Sequence, residues 1–271
     1  MKNKKSLGQN WLKNREVLEE IADLACYGSG EMGVSGLDES DLSAVKTSEK
    51  TEVELCMEIG PGLGFLTSSL LKRFNKVIAV EYDTDLARKL PGSFPGKNLT
   101  VVNEDILEFD FDKIGEPYVI AGNIPYYITS PIIKKTLTLK KRPERVVLLV
   151  QKEVAERIVS DKETLLSLFV KNYARVSAGP VVPREEFTPP PKVDSQVVVM
   201  EPFEAPIVDR EVFDLIKRGF SAPRKKLLRN LAGIKSEVET LEIFNKCGIS
   251  RDARPGDVGL EKWAELYSKL K

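Results

Sequence analysis

The chain has 271 residues, 42% of them hydrophobic and 30% charged, with 41 Lys and Arg against 41 Asp and Glu. That apolar content supports a core, and the length allows one large domain or one domain with a smaller companion. The zero net charge excludes a simple polycation but leaves room for a local basic face. Histidine is absent, which excludes histidine triads, histidine general bases and histidine metal ligands. Any chemistry must then run on carboxylates, amides, aromatics, backbone groups or a cofactor.

The three cysteines, Cys26, Cys56 and Cys247, are odd in number, widely spaced and without a CxxC pair. That usage fits a reducing cytoplasm and argues against a zinc site or a disulfide framework. No apolar run approaches the roughly 18 residues that span a membrane. The N-terminal MKNKKSLGQNWL is basic but has no apolar signal core behind it. A soluble, cytoplasmic, metal-free protein is expected.

In chain order, residues 15–26 (REVLEEIADLAC) place Val17, Leu18, Ile21, Leu24 and Ala25 at helical spacing. Residues 27–50 lose that periodicity, are rich in Gly, Ser, Asp and Glu, and read as a long surface loop. From residue 53, short apolar runs alternate with helical segments: VELCMEI and LTSSLLKRF, KVIAVEY and DLARKL, LTVVNED, PYVIAGN and SPIIKKTLTL, RVVLLV and QKEVAERIV. This βαβα order predicts a doubly wound α/β fold, a parallel sheet with helices on both faces. Residues 180–200 hold Pro180, Pro183 and Pro189–Pro191 and read as an extended excursion. It closes in an edge strand, SQVVVM, for which antiparallel pairing is open. After Glu201-Pro202 the pattern is helical, with turn signals at Ala222-Pro223, Gly233 and Pro255-Gly256. The expected division is a catalytic-type domain over 1–202 and a small helical domain over 203–271.

EIGPGLG, Glu58 to Gly64, follows a strand and opens a helix. Glycines at 60, 62 and 64 let the backbone turn tightly and approach a ligand. The next strand ends in Glu81, placed to accept from two ribose hydroxyls, and the third ends in Asn103-Glu104-Asp105, placed to meet an adenine amine. The spacing is GxGxG rather than the GxGxxG of NAD sites. Glu58 stands two residues before the first glycine, where a carboxylate suits positive charge on a ligand and not a pyrophosphate. The set leans toward S-adenosylmethionine, which carries a sulfonium and an ammonium and no phosphate.

AGNIPYYITSP, residues 121–131, ends the fourth strand beside that site. The Asn123 side-chain carbonyl and a backbone carbonyl fixed by Pro125 give two acceptors, which suit an NH₂ group. Tyr126 beside them suits a stacked base. Two acceptors on the amine favour a more tetrahedral nitrogen with its lone pair directed at a methyl donor, so that positioning and electrostatics carry the reaction.

The ordered set SLGQNWL, EIGPGLG, VEYD, NEDIL, GNIPYYITSP, QKEVAERI, FTPPPKVDS and RKKLLRNL resembles the KsgA-type small-subunit rRNA adenine dimethyltransferases over about residues 5–260. The resemblance implies a Rossmann-like S-adenosylmethionine-dependent fold and N6,N6-dimethylation of two adjacent adenosines near the 3′ end of small-subunit (16S) rRNA. It implies a monomeric enzyme acting on the assembling small ribosomal subunit. Carried over by motif, Asn10 and Leu12 border the cofactor and Gly60 lies under its methionine part. Glu81 binds the ribose and Asp105 the adenine amine. Asn123 touches both cofactor and target amine, Pro125 positions the backbone acceptor, Tyr126 stacks on the flipped adenine and Phe187 flanks its other face. The chain departs from the family pattern at Leu7, Tyr127 and Glu163–Ser167.

A ribosomal substrate requires a positive surface for phosphates. Three clusters are candidates: Lys2, Lys4 and Lys5; Lys134, Lys135, Lys140, Lys141 and Arg142, within 134–145; and Arg224, Lys225, Lys226 and Arg229, within 217–229. The competing readings are an Erm-type methyltransferase of large-subunit rRNA, a non-catalytic RNA-binding or assembly relative, and an NAD-dependent enzyme. RKKLLRNL and the Asp-Ala-Arg-Pro turn near 254 favour the KsgA type over the Erm type. Intact Asn123, Pro125 and Tyr126 argue against loss of catalysis.

Overall fold

The computed structural model describes residues 8–27 and 53–271. The loop expected over 27–50 (apart from Tyr27), the Lys2, Lys4 and Lys5 cluster and Leu7 lie outside the described residues. The described residues group into two compact units. One holds everything up to Ala155 together with Val176–Pro202; the other holds Glu156–Arg175 and Phe203–Lys271. The sequence alone divides the chain once, after 202; the spatial grouping divides it also after 155 and after 175.

The first unit is built on a seven-stranded sheet. Its strands are β2 (Leu55–Ile59), β3 (Lys76–Glu81), β4 (Leu99–Asn103), β5 (Tyr118–Asn123), β6 (Arg145–Gln151), β7 (Ala174–Val182) and β9 (Ser195–Pro202). Their order is β4-β3-β2-β5-β6-β9-β7. The pairs from β4 to β6 are parallel and β9 is antiparallel to β6. The near-continuous apolar runs have their physical reason here: every residue of β2 is buried, as a strand covered on both faces requires. Two two-residue strands, β1 (Trp11–Leu12) and β8 (Phe187–Thr188), form a separate antiparallel pair. The helices of this region are α1 (Arg15–Tyr27), α2 (Phe65–Leu70), α3 (Thr84–Lys89), α4 (Thr129–Leu137) and the first half of α5 (Lys152–Val159). Helix α1 starts at Asn14, whose Oδ1 accepts from the amides of Glu16 and Val17. It buries Leu18, Ile21, Leu24 and Ala25 in one cluster with Val119, Ala121, Val147 and Leu149.

One expectation is corrected. SQVVVM is antiparallel, but β9 is not the edge: it lies between β6 and β7. The edge is β7, which tolerates Pro180 because an edge strand does not need every amide for the ladder. Gly179 lets β7 press against β9, since a Cβ there would stand 3.0 Å from the Val197 Cβ.

The second unit contains α6 (Leu165–Tyr173), α7 (Arg210–Gly219), α8 (Leu227–Asn230), α9 (Glu237–Lys246) and α10 (Leu260–Leu270). Its core gathers on the fully buried Trp263, with Leu168, Ile216, Leu227, Phe244 and Leu266. The family departure at Glu163–Ser167 is a helix start. Thr164 and Ser167 form a reciprocal capping box, and the Glu163 carboxylate accepts from Ser167 Oγ and Lys171 Nζ, both at 2.7 Å. Cys26, Cys56 and Cys247 are buried free thiols.

Candidate active site

In the order β4-β3-β2-β5-β6 the direction of winding reverses between β2 and β5. Ligands of doubly wound sheets bind outside the carboxyl ends of the strands at such a reversal. A cavity of about 290 Å³ lies there, lined by the turns that follow β2, β3, β4 and β5 and by residues 8–12.

After β2, Gly60 N donates to Val80 O at 2.9 Å, which holds the glycine turn against β3. Gly62 has φ +57°, and a Cβ on it would stand 3.2 Å from Trp11 Nε1, so the position needs glycine for conformation and for space. At the end of β3, Glu81 is 6% exposed, and its two oxygens accept from Gly62 N at 2.9 Å and Asp83 N at 2.8 Å. Burial pushes its carboxyl above the usual range, opposed by those amide hydrogen bonds. Glu58 is 1% exposed and accepts from Thr67 Oγ1 at 2.6 Å. Burial pushes its carboxyl up to about 8; the Thr67 hydrogen bond opposes this and the Glu81 charge adds to it. After β4, Asp105 Oδ1 accepts from Leu107 N at 2.8 Å, closing a tight turn.

At the end of β5, Asn123 Nδ2 donates to Asn10 O at 3.0 Å. That bond orients the amide and leaves Oδ1 as its acceptor end. Tyr126 shares a hydrogen bond of 2.8 Å with Ser195 Oγ, and burial raises its hydroxyl above the ordinary tyrosine value. The segment at 8–12 meets the turns after β2, β3 and β5. Gln9 Nε2 donates to Asp83 Oδ2 at 3.3 Å, Asn10 holds Asn123, and Trp11 lies on Gly62.

Ten expected residues come together here: Asn10, Leu12, Glu58, Gly60, Gly62, Glu81, Asp105, Asn123, Pro125 and Tyr126 all line the cavity. Phe187 does not. It is 2% exposed, paired with Leu12 across β1 and β8 and packed in the core, because that pairing turns it inward. Sequence reasoning missed Trp11, Gln9 and Ser195; the signals available were the quoted strings GQNWL and KVDS, read there for other residues. Tyr127, a family departure, is 65% exposed and lines the cavity rim.

Among the described residues, no basic candidate lines the cavity. Lys134, Lys140 and Lys141 are exposed and Arg142 is half-buried. In the second unit Arg224, Lys225, Lys226 and Arg229 are exposed, with Lys226 paired to Asp252. Lys135 is half-buried, and its ammonium donates to two backbone carbonyls.

The lining contains four carboxylates, Glu58, Glu81, Glu104 and Asp105, and no Lys or Arg among the described residues. That set repels a pyrophosphate and suits a cationic ligand with hydroxyls and an amine to bind. It fits S-adenosylmethionine. Among the described residues, no group of three or more Cys, Asp or Glu side chains is arranged to hold a metal ion, and no helix is long and apolar enough to cross a membrane.

Comparison with known proteins agrees with this geometry. A "Ribosomal RNA small subunit methyltransferase A" of Fusobacterium nucleatum is 36% identical over 98% of this chain and 96% of its own length. The protein of that name from Synechocystis sp. is 34% identical over 98% and 96%. Two crystal structures superpose with TM-score 0.74: the 23S rRNA methyltransferase ErmE, at 24% identity over 96% of this chain and 99% of its own, and a dimethyladenosine transferase from Plasmodium falciparum, at 25% over 96% and 98%. The family model described as ribosomal RNA adenine dimethylase matches residues 1–271. The chain belongs to the ribosomal RNA adenine dimethylase family.

Proposed function

We propose that this chain uses S-adenosylmethionine to dimethylate the N6 amine of two adjacent adenosines near the 3′ end of small-subunit (16S) rRNA. It does so as a cytoplasmic monomer during small-subunit assembly. The carrying observation is the Asn123 amide, held by Asn10 O so that Oδ1 remains an acceptor at the mouth of an acidic cavity.

When bound, S-adenosylmethionine supplies an electrophilic methyl group on a sulfonium. Glu81 accepts from the ribose hydroxyls with the lone pairs its two amide donors leave available. Asp105 keeps one carboxylate oxygen beyond its turn for the adenine amine. Glu58, its carboxyl pushed up to about 8 by burial, releases its proton as the cationic ligand binds and then sets negative charge behind the glycine turn. On the target side, Asn123 Oδ1 and a backbone carbonyl beside Pro125 each accept one N–H of the amine. That draws the nitrogen toward a tetrahedral shape and exposes its lone pair. The Tyr126 ring, braced through its hydroxyl by Ser195, offers a face for the base. As the N–C bond forms and the methyl–sulfur bond breaks, its electron pair leaving with sulfur as a neutral thioether, the amine becomes cationic, and the same two acceptors stabilise it until it loses a proton to water. No residue here is required as a strong base.

The relatives named small-subunit methyltransferases favour that target over the large subunit. The test is methyl transfer from labelled S-adenosylmethionine to unmethylated small subunits and, in parallel, to protein-free large-subunit rRNA, followed by nucleoside analysis. Dimethyladenosine on the small subunit alone is expected. Label on the large-subunit RNA would move the chain to the Erm type, and label on neither would favour a binding or assembly role.

A further inference from the structure

Lys135 lies on α4, the helix that begins at Thr129, just after the Asn123–Tyr126 stretch. Its charge suggests one of the RNA-facing cations of the 134–145 cluster, and its neighbour Lys134 is indeed exposed. Lys135 is placed differently. Its ammonium donates to Leu107 O at 2.5 Å and Phe109 O at 2.8 Å, and stands 5.4 Å from the centroid of the Phe111 ring.

Those two carbonyls belong to the turn that carries Asp105. Leu107 N donates to Asp105 Oδ1, and the amides of Glu108 and Phe109 donate to Asp105 O at 2.9 Å. The turn therefore satisfies its amides within itself and leaves carbonyls at its far end. Carbonyls at the end of a helical turn lack partners and attract a cation. An ammonium donating to two of them makes charge-assisted hydrogen bonds, which are short and directional. The Phe111 ring adds a cation–π contact and excludes water from one side. With Lys135 in place, the turn is pinned at both ends.

We propose that Lys135 is a positioning residue for the cofactor: from α4 it clamps the 105–109 turn so that Asp105 is presented to the adenine end of the cavity. The inference rests on the reading of Asp105 as the contact for the cofactor's adenine amine. It removes Lys135 from the RNA-binding set and joins the helix that follows the target-base motif to the loop that selects the cofactor's base.

The test is a mutant cycle on cofactor affinity. The dissociation constant of S-adenosylhomocysteine is measured by calorimetry for the wild-type chain, Lys135→Met, Lys135→Arg, Asp105→Ala and the Lys135→Met/Asp105→Ala double variant. Lys135→Met weakens binding about tenfold, the scale of losing hydrogen bonds to a charged group. Lys135→Arg, which keeps charge and donors, stays within about threefold of wild type. The maximal methyl-transfer rate of Lys135→Met on unmethylated small subunits, at saturating cofactor, stays within about threefold of wild type, because Lys135 touches no reacting atom. The double variant binds no more weakly than Asp105→Ala, because Lys135 acts through that residue. Should Lys135→Met fail to fold, Lys135→Gln, which keeps a donor without the charge, carries the same comparison. Losses that multiply in the double variant, or no loss in Lys135→Met, overturn the proposal while leaving the Asp105 reading intact. Weaker binding to the small subunit with unchanged cofactor affinity would return Lys135 to the RNA face and also overturn it. Unchanged affinity in Asp105→Ala sinks the Asp105 reading, and the proposal with it.

Discussion

Asn123 is oriented by one hydrogen bond to a backbone carbonyl of the 8–12 segment, so its side chain arrives at the cavity already directed. Asn123→Ala removes the oriented acceptor and leaves the cofactor-facing carboxylates untouched. The expected result is a fall in the maximal rate of more than about tenfold, comparable to losing a preorganised electrostatic contact, with cofactor affinity changed far less. Single-turnover rates beside S-adenosylhomocysteine titrations separate the two, and an intact rate would end the amine-positioning mechanism. Glu58 makes a pH prediction. Its carboxyl ordinarily titrates near 4.5 and is pushed up to about 8 here, chiefly by burial, with Thr67 donating to it and Glu81 as the facing like charge. The folded state thus holds a proton that the unfolded state has released across that window, and this contribution to stability falls as pH rises from 4.5 to about 8. A cationic ligand nearby favours the ionised form, so binding expels the proton and affinity rises with pH up to about 8. Calorimetry near pH 7 in buffers of different ionisation enthalpy should show proton release in the wild type and less in Glu58→Gln. Equal release in both would place the effect elsewhere.

Between residues and the whole lies the β2–β5 pair, where the winding reverses. Gly122 is buried there, and a Cβ on it would stand 2.9 Å from Ile59 O and 3.1 Å from Ile59 Cβ. Backbone cannot yield as a flexible side-chain tip can, so Gly122→Ala forces the two strands apart at the floor of the cavity. Overpacking of this kind costs about 1–3 kcal/mol, which thermal melts would register as a drop of several degrees, together with weaker cofactor binding. Melting and affinity both unchanged would mean that the pair relaxes freely. The strands of this sheet and its glycine turn were legible in the sequence because apolar runs, helical spacing and glycine spacing are local signals. The β1–β8 pair was not. Two-residue strands have no periodicity, and the pairing of Leu12 with Phe187 joins distant stretches, so no local signal shows that Phe187 packs in the core. Strand β7 was hidden for a related reason: it follows α6 without a turn signal and carries Gly179 and Pro180, which read as an irregular stretch. Lys135 shows the limit at a single side chain, since a lysine run looks the same in sequence whether its ammonium meets water or backbone carbonyls.

At the scale of the molecule, charges that sum to zero over 271 residues make their distribution the relevant quantity for RNA binding. The cavity collects carboxylates, whereas residues 217–229 of the second unit hold six cations and no acid. Within that run Lys217 is paired with Asp214 and Lys226 with Asp252. Arg224, Lys225 and Arg229 are exposed, and no ion pair is formed by them among the described residues. Cations already paired must break a contact to reach a phosphate, so these three carry the expectation. Each phosphate neutralised steepens the dependence of log affinity on log salt by about 0.7 to 0.9. Replacing all three with alanine should therefore flatten that slope by about two to three, measured on unmethylated small subunits across a salt series. Affinity for S-adenosylhomocysteine should not move, because none of the three lines the cavity. A slope that survives the triple substitution would identify the run as a solvated helix face and transfer the phosphate contacts to Lys134, Lys140 and Lys141. A loss of affinity equal at every salt concentration would point instead to a packing defect in the second unit, because an electrostatic contact weakens as salt rises and a packing contact does not.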